Sequence, residues 1–214
     1  KMAEQLLDRE IETKAILEIL NKSADNNKII YLTGISGVGK TGFVKKLSQS
    51  SPLTNEILSV KVSKSSVETT ENLQYFNALY KTVTNYAKNK IFDSVLSPTQ
   101  QNARSIRSLW RVLVSIFKSK SGLSDMEPLS EPAEDASVVR KKDYLLYVLK
   151  KNDIIIDIEN IQNIDTQSLE LIKDIIYESK NRTFIFEYTL TNSNYNHFEN
   201  QYKEFREICS DISC

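Results

Sequence analysis

Apolar residues along this chain follow two alternating patterns. One recurs every three and four positions, as on one face of a helix, and the other is a short unbroken apolar run, as in a strand covered on both sides. Residues 3–20 show the first pattern: Leu6, Leu7, Ile11, Ala15 and Ile16 share a face among charged neighbours and predict an amphipathic helix ending around Asn21 to Asn27. Lys28 to Thr33 (KIIYLT) predicts a buried strand that stops at Gly34. Phe43, Val44 and Leu47 support a helix that must finish before Pro52, and Ile57 to Val62 (ILSVKV) reads as a second strand. Helical spacing returns from about Asn72 to Lys90 and from Pro98 to Lys120. Residues 121–137 hold Gly122, Pro128 and Pro132 among acidic and hydroxyl side chains and read as a loop.

The same alternation continues beyond that loop. Val138 to Lys151 places Tyr144, Leu145, Val148 and Leu149 on one side of a helix, and Ile154 to Ile158 (IIIDI) is a third strand interrupted by a carboxylate. Ile164 to Ser179 is an amphipathic helix, Thr183 to Tyr188 (TFIFEY) a fourth strand, and a polar helix containing aromatics fills the remainder. Helices alternating with nearly all-apolar strands predict an α/β fold, a mostly parallel sheet of about five strands between helical layers.

Composition mainly removes possibilities. The 214 residues suit one domain. No apolar run has the roughly 18 to 20 residues of a membrane span, and no signal-peptide core opens the chain, so a cytoplasmic protein without membrane contact is expected. Cys209 and Cys214 are too few for a disulfide framework. Formal net charge is zero, so nucleic acid is not indicated as a partner. Lys1 in place of a starting Met suggests an excerpt of a longer protein.

Glycine usage changes the picture most. Only five glycines are present, and four of them, Gly34, Gly37, Gly39 and Gly42, fall within residues 34–42. Gly34-Ile35-Ser36-Gly37-Val38-Gly39-Lys40-Thr41 matches G-x-x-x-x-G-K-[ST] between a predicted strand and a predicted helix. Such a loop turns successive N–H groups inward as an anion nest, and the helix start adds further unsatisfied donors and a positive dipole end. Lys40 is then the cation for β and γ phosphates, and Thr41 the hydroxyl for Mg²⁺. Gly42 lies outside the motif and is expected to allow close packing of the first helical turn.

A triphosphate site also needs carboxylates, one for the Mg²⁺ shell and usually one to orient water, at the end of a strand expected beside the loop strand. Asp157 and Glu159 fit, since strand alternation puts both on one face with Ile158 opposite. Two registers stay open. Either Asp157 is the Mg²⁺-shell acid and Glu159 activates water, or Glu159 holds the metal position and Asn160 follows, where an amide cannot take a proton and hydrolysis should be slow.

Arg9-Glu10, the stretch IIYLTGISGVGKT and the segment IENIQNIDTQSLELIKDII together resemble the STAND class of P-loop NTPases, relatives of the AAA+ ATPases. Ile158 through Gln162, with Asp165, Ser168 and Leu169, matches the spacing of that class's "IDDIQWADPASLELL" region. The spacing favours Glu159 as the Walker B acid, whereas residue identity favours Asp157. The resemblance implies one NTPase core over 1–214. Its parts would be an N-terminal helix at 1–27, a phosphate-loop unit at 28–62, a helical insertion at 63–152 and the acidic and sensor strands at 153–214. It further implies ATP and Mg²⁺ as cofactors, slow hydrolysis to ADP, self-association through the core, and service as a switch module beside further domains in signalling or defence proteins. By the same analogy Glu187 or Thr189 would sense the γ-phosphate, Arg9 and Glu10 would approach the adenine side, and a fifth strand would begin about where the chain stops. An AAA+ DNA-handling ATPase and an inactive nucleotide-binding scaffold are the alternatives.

Other features read as solvated or packed surfaces. Arg104, Arg107 and Arg111 around Trp110, and Arg140, Lys141, Lys142, Lys150 and Lys151, are expected to be solvated helix faces. His197 has no partner set for zinc or catalysis and is expected at the surface. Tyr144, Tyr147, Tyr188, Tyr195 and Phe198 are expected to pack in the core.

Overall fold

Apolar runs with no polar face become the inner strands of one parallel sheet. In this computed structural model the residues described are 9–21, 26–49, 55–62, 73–95, 136–209 and 211–213. The strands are β1 (Lys28–Gly34), β2 (Glu56–Val60), β3 (Ile154–Ile158), β4 (Thr183–Thr189) and β5 (Asp211–Ser213), in the order β2-β3-β4-β1-β5 with every pairing parallel. The fifth strand therefore starts before the point anticipated, and it pairs with Lys28 to Ile30 on the outer side of β1.

The helices are α1 (Glu10–Asn21), α2 (Lys40–Ser48), α3 (Gln74–Val95), α4 (Val138–Lys151), α5 (Thr166–Glu178) and α6 (Tyr195–Ile208), with a 3₁₀ turn at Ile161–Asn163. Strand alternation divides the core. Ile29, Tyr31, Ile154, Ile156, Ile158, Phe184, Phe186 and Tyr188 point to one face, where α3 to α6 cover them with side chains such as Phe76, Leu145, Ile172 and Phe205. Ile30, Ile155 and Ile185 point to the other, where Ile16 of α1 and Phe43, Val44 and Leu47 of α2 make a smaller core. Each wholly buried aliphatic side chain adds about 1.5–3 kcal/mol, so the first face holds most of the stabilisation.

Two hydrogen-bonding side chains fix how α3 meets α5. Asp165 caps α5 by accepting from Ser168 N–H at 2.8 Å, and it also accepts from Leu73 N–H at 2.9 Å. Ser168, fully buried, accepts from Phe76 N–H at 2.9 Å through its hydroxyl. Unsatisfied N–H groups at the start of α3 are thus paired from another helix, which lets that end be buried.

Several expectations are corrected. The acid-bearing strand β3 is not beside β1, because β4 lies between them. Helix α5 begins at Thr166, after the 3₁₀ turn that follows β3. Cys209 is no incidental edge thiol, since it is buried in the larger core. Tyr195 is 52% exposed, whereas Tyr144 and Tyr188 are buried and Tyr147 and Phe198 pack on the larger core. Residues 3–8 of the first predicted helix, the predicted helix 98–120 with Arg104, Arg107, Trp110 and Arg111, most of the predicted loop 121–137, and Cys214 lie outside the described residues. Among the described residues no helix is long and apolar enough to cross a membrane.

Candidate functional site

Strand β1 feeds straight into the glycine loop, and the loop into α2. Gly37 has φ 79° and Gly39, the residue capping α2, has φ 88°, a left-handed backbone that side chains with a Cβ resist. The cap supplies no side-chain acceptor, so the first N–H groups of α2 stay available as donors at the loop. Ile35 is 69% exposed and Val38 39%, so these loop side chains point outward. Ser36 is exposed, and Gly42 lies half-buried in the first turn of α2.

Lys40 is buried under the loop and donates through Nζ to the carbonyls of Gly34 at 3.0 Å and Ile35 at 3.1 Å. Burial lowers its pKa, against the raising influence of Glu187, and Arg9 lowers it further. Arg9 donates to the Val38 carbonyl and lies over the Phe43 ring, 5.7 Å from its centroid. It therefore braces the phosphate loop from the N-terminal side, while Glu10 is exposed at the start of α1.

The acids come from two strands. Register places Asp157 beside Ser59 of β2 and Ile185 of β4, and one pleat further the same face carries Lys61, Glu159 and Glu187. One carboxylate oxygen from each of Asp157, Glu159 and Glu187 lies within 4.8 Å of the others. Thr41 donates its hydroxyl to Glu187 Oε2 at 2.6 Å, which ties the start of α2 to this group. Lys61 Nζ meets Glu159 Oε1 at 2.8 Å, and that contact raises the lysine's pKa.

Burial decides the charge state of the group. Asp157 is 0% exposed, and desolvation followed by the Glu187 carboxylate pushes its pKa up to about 8, with the Ser59 hydroxyl opposing. Glu187, 3% exposed, is raised by desolvation too, against the hydrogen bond from Thr41. Such a pocket favours bound positive charge.

Asn160 follows in a left-handed conformation, φ 53° and ψ 46°. Its carbonyl accepts from Tyr75 Oη–H at 2.7 Å, and its side-chain oxygen faces Gln162 Nε2 at 3.4 Å and Thr189 Oγ1 at 3.5 Å. Gln162 Oε1 in turn accepts from Thr189 N–H at 3.0 Å. Thr189 thus joins the turn after β3, whereas Glu187 joins Thr41; the two candidate sensors have different partners.

The structure brings together Gly34 through Thr41, Asp157, Glu159 and Glu187, and leaves other candidates apart. His197 is exposed on α6, and Lys142 on α4 is neutralised by Glu178 at 2.8 Å and Asp174 at 3.5 Å. Sequence reasoning missed Lys61 as the counter-charge of Glu159. The alternation of ILSVKV puts Ser59 and Lys61 on one face, but only the β2–β3 pairing shows which acids they meet.

A family model described as "KAP family P-loop domain" matches residues 9–194. No curated protein matches the chain. Among solved structures, the ORC1 protein of Aeropyrum pernix, determined in complex with DNA, is 14% identical with a TM-score of 0.39, over 88% of this chain and 41% of that one. The chain spans about two fifths of that protein's length, and a likeness at this level carries no argument here.

Proposed function

The chain belongs to the KAP family of P-loop NTPase domains, and from that premise we propose that it binds ATP with Mg²⁺ at residues 34–41 and hydrolyses it slowly, as a switch module. The observation that carries this reading is Thr41 bonded to Glu187, beside Asp157 and Glu159 and at the end of a loop whose glycines hold left-handed backbone. The buried acids with few cationic partners suit a divalent ion.

In the proposed complex the N–H groups of the loop and of the start of α2 bind phosphate oxygens, and Lys40 exchanges its contacts with the Gly34 and Ile35 carbonyls for the β and γ phosphates. Thr41, Asp157 and Glu159 would hold Mg²⁺, which supplies charge neutralisation at the triphosphate. The register supports Glu159 as the principal metal acid, because it stands level with Glu187, the partner of Thr41. Water then attacks the γ phosphorus, the bond to the β–γ bridging oxygen breaks, and ADP and inorganic phosphate leave.

Slow turnover follows from both registers. If Glu159 activates water, its Oε1 is already engaged by Lys61; if Glu159 serves the metal, Asn160 stands next and cannot accept a proton. The same two facts favour a second reading, a nucleotide-binding scaffold without turnover. A STAND-type role in signalling or defence rests on the spacing of Ile158 to Leu169 with the phosphate loop.

The test is titration with a fluorescent ATP analogue in Mg²⁺, followed by single-turnover hydrolysis. Lys40→Ala should weaken nucleotide binding at least about tenfold, or roughly 1.4 kcal/mol. Unchanged affinity would refute the nucleotide reading, whereas tight binding with no released phosphate selects the scaffold.

A further inference from the structure

Two cations hold the carbonyls of the glycine loop. Lys40 donates to those of Gly34 and Ile35, and Arg9 donates through Nη2 to that of Val38. Their fates on binding differ, because Lys40 leaves its carbonyls for phosphate in the reading above, whereas Arg9 has an anchorage of its own. Its guanidinium carbon lies 5.7 Å from the centre of the Phe43 ring, which is buried in α2. Its main-chain carbonyl accepts from Thr13 N–H at 2.9 Å in the first turn of α1. Arg9 is thus held at both ends and grips the loop at one atom.

The place of that atom matters. Gly39 is left-handed and Lys40 opens a right-handed helix, a succession that turns the N–H groups of Gly39, Lys40 and Thr41 to one concave side as an anion nest. A trans peptide sets its C=O and N–H antiparallel, so a donor on the Val38 carbonyl settles where the Gly39 N–H points. We propose that Arg9 is a positioning residue for polyphosphate: it holds the Val38–Gly39 peptide with the Gly39 N–H turned into the nest, and it does so from behind the loop without touching the nucleotide. The gain is preorganisation, since a peptide already turned need not be oriented when the anion arrives. A cation on the carbonyl also polarises the N–H of the same peptide into a stronger donor. A residue at the adenine side would read the base, whereas one acting through Val38 serves any polyphosphate alike.

The inference rests on the nucleotide reading of this loop, and its test keeps the two apart. ATP and inorganic tripolyphosphate, each with Mg²⁺, are titrated into the 214-residue chain by calorimetry. Arg9→Met keeps an apolar stem over Phe43 and removes the donors; it should weaken both ligands by the same factor, about fivefold, as for one net hydrogen bond. Arg9→Lys, which keeps a charged donor, should lose no more than about twofold. Lys14→Met, which removes a cation from the exposed surface of α1, should change neither. The chain has only five glycines, so the Gly39 amide is readily followed by magnetic resonance. Tripolyphosphate should shift that N–H signal in the wild type and shift it less in Arg9→Met. A loss confined to ATP would put Arg9 at the base and overturn the proposal. A loss that disappears in about 1 M salt would be the effect of charge at a distance and would overturn it too. If Lys40→Ala weakens both ligands while Arg9→Met weakens neither, this inference falls and the nucleotide reading stands. If the wild-type chain binds neither ligand, the nucleotide reading falls and takes this inference with it.

Discussion

Asn160 has a place in the backbone of the turn as well as standing where a second acid is expected. Its position after β3 invites the reading of a missing second acid, yet its backbone is left-handed, a conformation that asparagine tolerates and most side chains resist. The dihedral was not legible in the sequence, because the turn into the 3₁₀ segment depends on Tyr75 arriving from α3. Asp165 makes a similar point. Its spacing from Glu159 supported a family likeness, while its work in the fold is to pair N–H groups of Ser168, Leu73 and Tyr75. Burial raises its pKa, but those hydrogen bonds outweigh burial and hold it below the ordinary carboxylate value. The stability Asp165 contributes is therefore full above about pH 4 and is lost as pH falls through the folded-state pKa. Asp165→Ala should cost about 1–2 kcal/mol at pH 7 by chemical denaturation, and less at pH 3. An equal cost at both pH values would mean that the cap does not depend on charge.

Among the elements, strands were the most legible because buried parallel strands are nearly continuous apolar runs. KIIYLT, IIIDI and TFIFEY all appear as strands within a residue of their expected bounds. Strand order was not legible, since it is set by where each crossover returns. The insertion of β4 between β1 and β3 explains why Glu187, weighed only as a phosphate sensor, becomes the partner of Thr41. Helix α2 shows the reverse case, where local pattern sufficed: Phe43, Val44 and Leu47 are all buried as their spacing requires. Leu47 sits in the smaller core at 1% exposure. Leu47→Ala should cost about 2–5 kcal/mol in thermal or chemical unfolding, and it should also loosen nucleotide binding because α2 carries Lys40 and Thr41. Full stability in that variant would show that α2 is not held by this core.

For the whole molecule, the active elements and the bulk of the apolar packing lie on opposite faces of one sheet. The face of α3 to α6 holds the larger core, and that of α1 and α2 the smaller, yet the loop, Lys40 and Thr41 belong to the latter. This division gives the protein two tiers of local stability. Opening free energies scale with the apolar contacts an element gives up, so α2 and the loop should detach before the rest unfolds. In native-state hydrogen exchange, amides of α2 should exchange through a sub-global opening, while those of β3 and β4 wait for global unfolding. Uniform protection across both faces would rule this out. A binding loop mounted on the weaker face has an affinity that includes the work of keeping that face closed, so any ligand gripping Lys40 and Thr41 would slow exchange throughout α2, well beyond the atoms it touches.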